Sequence, residues 1–257
     1  MSSDAVLRSE HPASNRLLHF ARFASCDEYI RRWQHRKRCL LADSSASAQA
    51  LSGDTLDVRQ LHLWRGDKHL LRGVSFALQA GELLQVMGHN GVGKTSLLRC
   101  VAGLIEPESG EISWQGSEVR RDRDTFHRHL AYLGHVNALK PDLTALENLH
   151  YSVQLRRRVE RTEMLDMLGQ LQVAQCADLP ARALSAGQKR RVAIARVILS
   201  GATLWILDEP ITNLDVQGIA SIEECMAMHL RAGGCILTAA HQSLLAEHPQ
   251  VRTLELR

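Results

Sequence analysis

The residues best suited to chemistry lie in one run that matches the phosphate-loop pattern G-x-x-x-x-G-K-[ST]: Gly88-His89-Asn90-Gly91-Val92-Gly93-Lys94-Thr95. Glycines in such a run let backbone N–H groups approach phosphate oxygens, and the positive end of a following helix adds to the attraction. We expect the Lys94 ammonium to bind the β- and γ-phosphates of a nucleotide and the Thr95 hydroxyl to coordinate Mg2+. The next residue, Ser96, belongs to the same predicted nucleotide-binding segment.

The flanking sequence decides between a nucleotide site and a glycine-rich turn that matches the pattern by chance. Residues 82–87 predict a buried strand, and residues 96–102 predict a helix. A phosphate loop requires this order of strand, loop and helix. The sequence therefore favours the nucleotide site.

A second group of candidate functional residues follows another apolar strand, which is predicted at residues 202–207. This strand leads into Asp208 and Glu209, and ligands of open α/β sheets bind at the carboxyl ends of the strands. We expect Asp208 to reach the Mg2+ ligand shell and Glu209 to polarise the water that attacks the γ-phosphate. Two acids in a solvated turn would fit poorly after so apolar a strand.

A third candidate site contains Ser185 and Gly187, which lie just before a helix predicted at residues 188–199. Such a helix start is a second place at which a phosphate could bind. One γ-phosphate needs only one cradle, so we expect both residues to face the nucleotide of another copy of the chain. This predicts a head-to-tail dimer.

The 257 residues divide into two parts by composition. Residues 1–54 are rich in Ser, Ala, Arg and His and predict a disordered or weakly structured N-terminal extension, whereas residues 55–257 predict one folded domain. The basic run at residues 29–38 favours a solvated tail. Contact with anionic lipid or nucleic acid, a transit peptide, and a start assigned too far upstream are the alternatives left open for the extension.

Bulk properties exclude several classes of protein. A hydrophobic content of 45% allows a full core, and a net charge of +3 gives no reason to expect a nucleic-acid partner. No stretch approaches the ~18 apolar residues of a membrane-spanning helix, and the N-terminus lacks a secretory signal. The six cysteines form no C-x-x-C pair, which is typical of reduced thiols in a cytosolic protein and predicts no metal cluster.

The remaining patterns concern the shape of the domain. Residues 56–64 and 74–78 predict an antiparallel hairpin, and residues 120–180 predict an inserted helical subdomain. Trp64 is the aromatic residue nearest to where an adenine base would stack, for a gain of about 1 kcal/mol, but packing within its strand is an equal alternative. His127 and His129 are expected to be surface residues, because their spacing on a helix does not suit a metal.

Taken in order, these motifs resemble the ATP-binding cassette of ABC transporters over residues 56–257. The resemblance rests on the phosphate loop, the signature at residues 184–188, Asp208-Glu209, Asn213-Leu214-Asp215 and His241. It implies an α/β P-loop NTPase cassette with a mixed sheet core, an antiparallel β subdomain and an inserted helical subdomain. It also implies ABC-type ATPase activity with ATP and Mg2+, with Glu209 as catalytic base, Asp215 coupling two sites and His241 contacting the γ-phosphate.

Within that superfamily, residues 132–135, 143–149, 184–191 and 240–242 resemble the ATPase subunit of the haem exporter of cytochrome c maturation, the CcmA family. This implies a peripheral subunit at the cytoplasmic face of a bacterial inner membrane. A dimer of it would drive integral membrane subunits in haem export or in release of a haem-loaded chaperone. An ABC transporter ATPase for a different substrate is the alternative.

The sequence departs from the family pattern at one place. The glutamine usual in the lid loop is missing, and His135 and Val136 stand where it is expected. The effect of this departure on Mg2+ sensing and on coupling to a membrane subunit stays open. A GTPase is disfavoured, because Asn213-Leu214-Asp215 lacks the lysine of the N-K-x-D motif.

Overall fold

The computed structural model describes residues 56–246 and 248–256. The predicted extension, residues 1–54, lies outside this part of the chain, so the division into extension and domain stays a prediction. Within the described residues the chain forms an antiparallel sheet, a parallel sheet and six α-helices. No helix in this part combines the length and the apolar character that crossing a membrane requires.

The antiparallel sheet is built around the predicted hairpin. Strand β1 (Leu56–Arg65) pairs with β2 (Lys68–Leu78) across a tight turn, in which Gly66 adopts a positive φ of 57°. On its other side β1 pairs with β4 (Ser109–Trp114), which pairs in turn with the short β5 (Ser117–Glu118). The order is β2-β1-β4-β5. The expected antiparallel subdomain is confirmed.

The parallel sheet carries the second half of the fold in the order β6-β7-β8-β3-β9. Its strands are β3 (Leu83–Met87), β6 (Leu130–Leu133), β7 (Leu204–Asp208), β8 (Cys235–Ala239) and β9 (Val251–Glu255). Every residue of β7 and β8 is buried, and apart from Asp208 and Thr238 both strands are apolar, without the alternation of a half-buried strand. Strand β3 lies between β8 and β9, both of which come late in the sequence.

Helices cover the parallel sheet and form the inserted subdomain. They are α1 (Lys94–Val101), α2 (Arg123–His129), α3 (Ala145–Gln154), α4 (Arg161–Gln170), α5 (Ala186–Leu199) and α6 (Val216–Arg231). Helix α3 begins with a reciprocal cap between Thr144 and Glu147. Helices α3 and α4 pack on each other and on α5. The insertion is therefore attached to the sheet through α5.

Alternate residues of the parallel strands supply two separate hydrophobic cores. Leu204 and Ile206 of β7 pack with α1 and the antiparallel sheet, whereas Trp205 and Leu207 pack with the helical insertion and α5. Successive side chains of a strand point to opposite faces of the sheet, so neighbouring residues of β7 belong to different cores. Burying each large apolar side chain contributes about 2 kcal/mol, so both faces hold the central sheet, and its carboxyl edge, in place.

Three sequence expectations need correction. The predicted helical stretch at residues 120–180 contains β6, which belongs to the parallel sheet, so the insertion is shorter than expected. Helix α5 begins earlier than predicted, at Ala186. His127 and His129 are partly buried: His127 Nε2 lies 3.2 Å from the Ala102 carbonyl oxygen, and the His129 ring contacts Trp114.

No cluster of potential metal ligands occurs in the described part of the chain.

Candidate functional site

The phosphate-loop residues connect β3 to α1, as the pattern predicted. Lys94 is buried, and its Nζ donates hydrogen bonds to the carbonyl oxygens of Gly88 at 2.7 Å and His89 at 3.2 Å. The ammonium thus lies across the concave side of the loop. Gly93 caps α1 at a positive φ of 116°, and as a glycine it supplies no side-chain hydrogen bond to the first N–H groups of the helix. The outer positions of the loop, His89, Asn90 and Gly91, are exposed.

The start of this loop is held by the last strand of the sheet. Leu256, which follows β9, donates its N–H to the Met87 carbonyl oxygen at 2.9 Å. A Cβ atom at Gly88 would lie 2.7 Å from the Leu256 carbonyl oxygen, and Gly88 has a φ of 140°. Only glycine fits both the space and the backbone conformation. The geometry of the loop therefore depends on β9 as well as on its own sequence.

Thr95 and Asp208 meet at the carboxyl edge of the sheet. The Thr95 hydroxyl donates to Oδ1 of Asp208 at 3.3 Å, and Asp208 is only 1% exposed. Its second oxygen, Oδ2, has no hydrogen-bond partner among the described residues. A buried carboxylate oxygen without a partner is unfavourable unless a cation is nearby. A hydroxyl next to such an oxygen is the ligand type that Mg2+ prefers, so these two residues fit that ion.

Glu209 and His241 follow neighbouring strands, β7 and β8, and come together at the same edge. Oε1 of Glu209 lies 3.2 Å from Nε2 of His241, and the Glu209 carboxylate is mostly shielded from solvent. Glu209 has a positive φ of 52°, which costs a non-glycine residue about 1 kcal/mol or more. Its N–H donates to the Ala239 carbonyl oxygen at 2.8 Å. The turn after β7 is thus fixed in an unusual conformation that directs the carboxylate towards His241.

Gln85 is a buried residue of this site that the sequence analysis missed. It lies in the centre of β3, where Nε2 donates to the Gln242 carbonyl oxygen at 2.7 Å and Oε1 accepts from the Leu244 N–H at 3.0 Å. Its amide therefore fastens the turn that carries His241. The available signal was one glutamine inside an otherwise apolar strand, since a buried polar side chain needs partners.

Arg190 is a second residue that the sequence analysis did not single out. It is 3% exposed, on α5, and it donates hydrogen bonds to the carbonyl oxygens of Asp208, Glu209 and Pro210. Burial lowers the pKa of the Arg190 guanidinium to about 10, against the opposing effect of the carboxylates of Asp208 and Glu209. The group stays charged at neutral pH, and so the site contains a buried positive charge behind its two acids.

Ser185 caps the start of α5, and Gly187 lies in its first turn. The Ser185 hydroxyl accepts from the Gln188 N–H, and the Gln188 side chain accepts from the Ser185 N–H. A Cβ at Gly187 would lie 2.6 Å from the Asn213 carbonyl oxygen, which requires glycine there. Within the described residues, no hydrogen bond or ion pair joins Ser185 or Gly187 to the phosphate loop.

Asp215 caps the next helix in the same region. Its Oδ1 accepts from the Gly218 N–H at 2.8 Å and from the Arg191 guanidinium. The Gly218 N–H, and to a lesser degree Arg191, hold the pKa of the Asp215 carboxyl below its usual range. The segment between β7 and α6 is thus tied to α5 by both arginines, Arg190 and Arg191.

Trp64 is half exposed near the end of β1 and stacks on His69, with ring centroids 4.2 Å apart and planes inclined by 4°. The neighbouring Lys68 reaches the phosphate loop, where its Nζ lies 3.5 Å from the Gly91 carbonyl oxygen. Trp64 is therefore packed on a strand neighbour while its indole stays accessible. This geometry is compatible with both of the alternatives proposed for it.

His135 and Val136 follow β6 and line a groove of about 760 Å³ between the parallel sheet and the helical insertion. The groove does not include the phosphate loop. Val136 is 77% exposed, and Leu104, Tyr151 and Leu155 are further exposed apolar residues of the lining. The cations Arg99, Lys140, Arg156 and Arg196 also line it. The groove thus combines apolar surface with positive charge.

Comparison with known proteins gives consistent results. A model of the family described as ABC transporter matches residues 71–212. The chain is 43% identical over 201 residues to the cytochrome c biogenesis ATP-binding export protein CcmA of Escherichia coli K12, covering 78% of this chain and 96% of that protein. It is also 43% identical over 202 residues to the CcmA protein of Vibrio cholerae O1, covering 78% and 98%.

Solved structures agree with the fold. One, described as the ATP binding subunit of an ABC transporter, is 27% identical with a TM-score of 0.71, covering 79% of this chain and 86% of its own. A dimeric bacterial ABC transporter cassette is 22% identical with a TM-score of 0.70, covering 78% and 94%. The second likeness concerns the fold alone.

Proposed function

The chain belongs to the ABC transporter family, and we propose that it is the ATP-hydrolysing subunit of an ABC exporter complex in cytochrome c biogenesis. One observation carries this proposal. The relatives that are 43–44% identical, and of which the chain covers 96–98%, are all named cytochrome c biogenesis ATP-binding export proteins. The match covers nearly the full length of these proteins and is not limited to the nucleotide-binding motifs.

The geometry of the site supports a division of roles. The loop residues from Gly88 to Ser96, with the Lys94 ammonium, bind the phosphates of ATP. Thr95 and Asp208 hold Mg2+, which neutralises charge on the phosphates when bound. Glu209 orients and deprotonates the attacking water, because its carboxylate is shielded yet reaches the edge at which the phosphates lie. His241, adjacent to Glu209, contacts the γ-phosphate, and Trp64 stacks on the adenine base.

A second copy of the chain completes the site in this proposal. At the start of α5, where Ser185 and Ala186 are exposed, the N–H groups of Ala186 and Gly187 form no hydrogen bond with the phosphate loop among the described residues. They can serve the γ-phosphate of a nucleotide held by a partner. Two ATP molecules would thus be enclosed between two chains arranged head to tail. Each chain would contribute Lys94 to one nucleotide and Ser185 to the other.

The remaining partners are integral membrane subunits of the cytochrome c maturation system. The groove beside Val136 supports this, because it combines exposed apolar surface with four cations and lies outside the phosphate loop. The chain would then work as a peripheral protein on the cytoplasmic face of a bacterial inner membrane. Residues 1–54 take no part in nucleotide binding in this proposal, and residues 55–257 form the cassette.

The test is a host strain that lacks the gene. We expect it to lose holo-cytochromes c and to keep b-type cytochromes. Haem in b-type cytochromes is bound without thioether links, so their survival distinguishes a defect in cytochrome c maturation from a defect in haem synthesis. The wild-type gene should restore c-type cytochromes, and Lys94→Ala should not. Haem staining of membrane proteins and reduced-minus-oxidised spectra measure both classes. Normal c-type cytochromes in a strain with no second copy of the gene would instead favour an ABC ATPase for a different substrate.

A further inference from the structure

Arg190 is the best-connected side chain around the site. A guanidinium has five N–H donors, and each of the five in Arg190 has an acceptor. Nε donates to the Pro210 carbonyl oxygen at 3.1 Å, and Nη2 donates to the carbonyl oxygens of Asp208 and Glu209. Nη1 donates to the Gly134 carbonyl oxygen at 2.9 Å and to Oδ1 of Asn137 at 3.0 Å.

These acceptors belong to two segments that are distant in sequence. Three are the consecutive backbone carbonyls of residues 208–210, at the end of β7 and in the turn that follows it. The other two belong to residues 134–138, the segment after β6 that lines the groove beside Val136. The planar fork of arginine places its two Nη nitrogens at fixed positions, so it can bridge the two segments, whereas the single Nζ of lysine cannot reach both sets.

The bridge that Arg190 forms between these two segments also affects the backbone conformation of Glu209. This residue holds a positive φ of 52°, and such a conformation persists only when surrounding contacts fix it. The Glu209 carbonyl oxygen is bound by Arg190 at 2.7 Å, and its N–H is bound by Ala239. Without Arg190, three buried carbonyl oxygens would lose a charged donor. The turn could then relax and move the carboxylate away from His241.

We propose that Arg190 is a positioning residue, which holds Glu209 in its hydrolytic orientation and links it to the groove-lining segment 134–138 through Gly134 and Asn137. This deepens the proposed ATPase function and rests on it. A displacement of segment 134–138 by a partner in the groove is transmitted through one rigid guanidinium to the backbone of the catalytic base. Arg190 touches neither nucleotide nor Mg2+ in this account.

The test compares full-length wild-type protein with Arg190→Lys and Asn137→Ala. We expect Arg190→Lys to lower kcat for ATP about tenfold or more and to leave KM within about threefold, because the phosphate loop is unchanged. Asn137→Ala should lower kcat less. Combining the two should add little to Arg190→Lys alone, since both act through one bridge. Hydrogen exchange should quicken in residues 134–138 and 208–213 in Arg190→Lys.

Arg157→Lys is the matched control. Arg157 also donates to a backbone carbonyl, that of Leu199 at 2.6 Å, and forms an ion pair with Glu163, but it contacts neither segment. If Arg157→Lys lowers kcat as strongly at equal thermal stability, or if Arg190→Lys keeps wild-type kcat and exchange, the inference is wrong while the ATPase proposal stands. If wild-type protein does not hydrolyse ATP, the ATPase proposal fails, and unchanged exchange in Arg190→Lys then separately overturns the bridge.

Discussion

Nε2 of His241 lies 3.2 Å from Oε1 of Glu209, although the two residues follow different strands of the parallel sheet. The contact arises because β7 and β8 are neighbours and end at the same edge. His241 is largely exposed, whereas the Glu209 carboxylate is largely shielded. The pair thus combines an accessible imidazole with a shielded carboxylate that has a fixed neighbour.

Glu209→Gln should abolish most hydrolysis while ATP still binds. The amide keeps the size and one acceptor oxygen of the carboxylate but cannot take a proton, so we expect kcat to fall roughly a hundredfold or more. ATP affinity should change little, and ATP-bound dimers should accumulate. Phosphate release and size-exclusion chromatography with ATP measure the two effects. The companion variant Lys94→Ala should instead lose ATP binding, and wild-type turnover by Glu209→Gln would disprove its role as the base.

Asp208→Asn should weaken the binding of Mg2+ at the site. Oδ2 of Asp208 is buried without a partner among the described residues, and an amide in its place presents an N–H group to the cation. We expect the Mg2+ concentration for half-maximal turnover to rise about tenfold or more, and chelation of Mg2+ to stop turnover of the wild type. Titration of activity with MgCl2 at fixed ATP measures this. An unchanged Mg2+ requirement would exclude Asp208 from the ion site.

Mixing two inactive variants should restore part of the activity if the site is shared between chains. Ser185→Arg disables the site that contains the partner's Lys94, and Lys94→Ala disables the site of its own chain. A heterodimer of the two therefore keeps one site with both residues intact. We expect turnover that depends on mixing ratio and protein concentration. Turnover that responds to neither would mean that the head-to-tail dimer is wrong.

We expect the ionised carboxylate of Asp215 to stabilise the folded state at neutral pH. This stabilisation should be lost in acid, when the carboxylate is protonated. Its pKa in the folded chain is lowered by the Gly218 N–H and by Arg191, so the ionised form is bound more tightly in the folded than in the unfolded state. That stabilisation is complete above the unfolded pKa of about 3.9 and is lost as the pH falls through the lower folded pKa.

Asp215→Asn keeps an acceptor oxygen for the cap and removes the charge, and therefore isolates this effect. We expect the variant to be less stable than wild type at pH 7 and the difference to disappear in strong acid, as measured by urea unfolding across a pH series. Asp178→Asn, which removes an exposed ion pair with Arg161, is the control and should change little. A difference that is independent of pH would contradict the prediction.

The sequence was sufficient for features whose contacts are local. The strand–loop–helix order of the phosphate loop and the hairpin of β1 and β2 depend on residues close together in the chain, so pattern and spacing predict them. The meeting of Thr95 with Asp208 also followed, because strand-to-loop order places both at one sheet edge. The roles of these residues in catalysis stay predictions.

Features that depend on distant segments were not predictable in the same way. Strand β6 has only four residues and follows α2 without a turn residue. The helical pattern of the sequence therefore extended through it, and the strand was not predicted. Helix periodicity places Arg190 on α5 but does not indicate which carbonyls meet its guanidinium. Gln85 is the same case, since its two partners come from the turn after β8. Tertiary contacts, which single-sequence patterns do not contain, decide all three.

The position of β3 between β8 and β9 has a consequence for the timing of synthesis. The strand that leads into the phosphate loop is made early, but both strands that hydrogen-bond to it begin at or after Cys235. Gly88 also meets its close neighbour, Leu256, only after β9 has been made. A nascent chain therefore has a complete phosphate-loop sequence long before it has a sheet to hold that loop. The loop therefore takes the geometry described above only after β8 and β9 have been made.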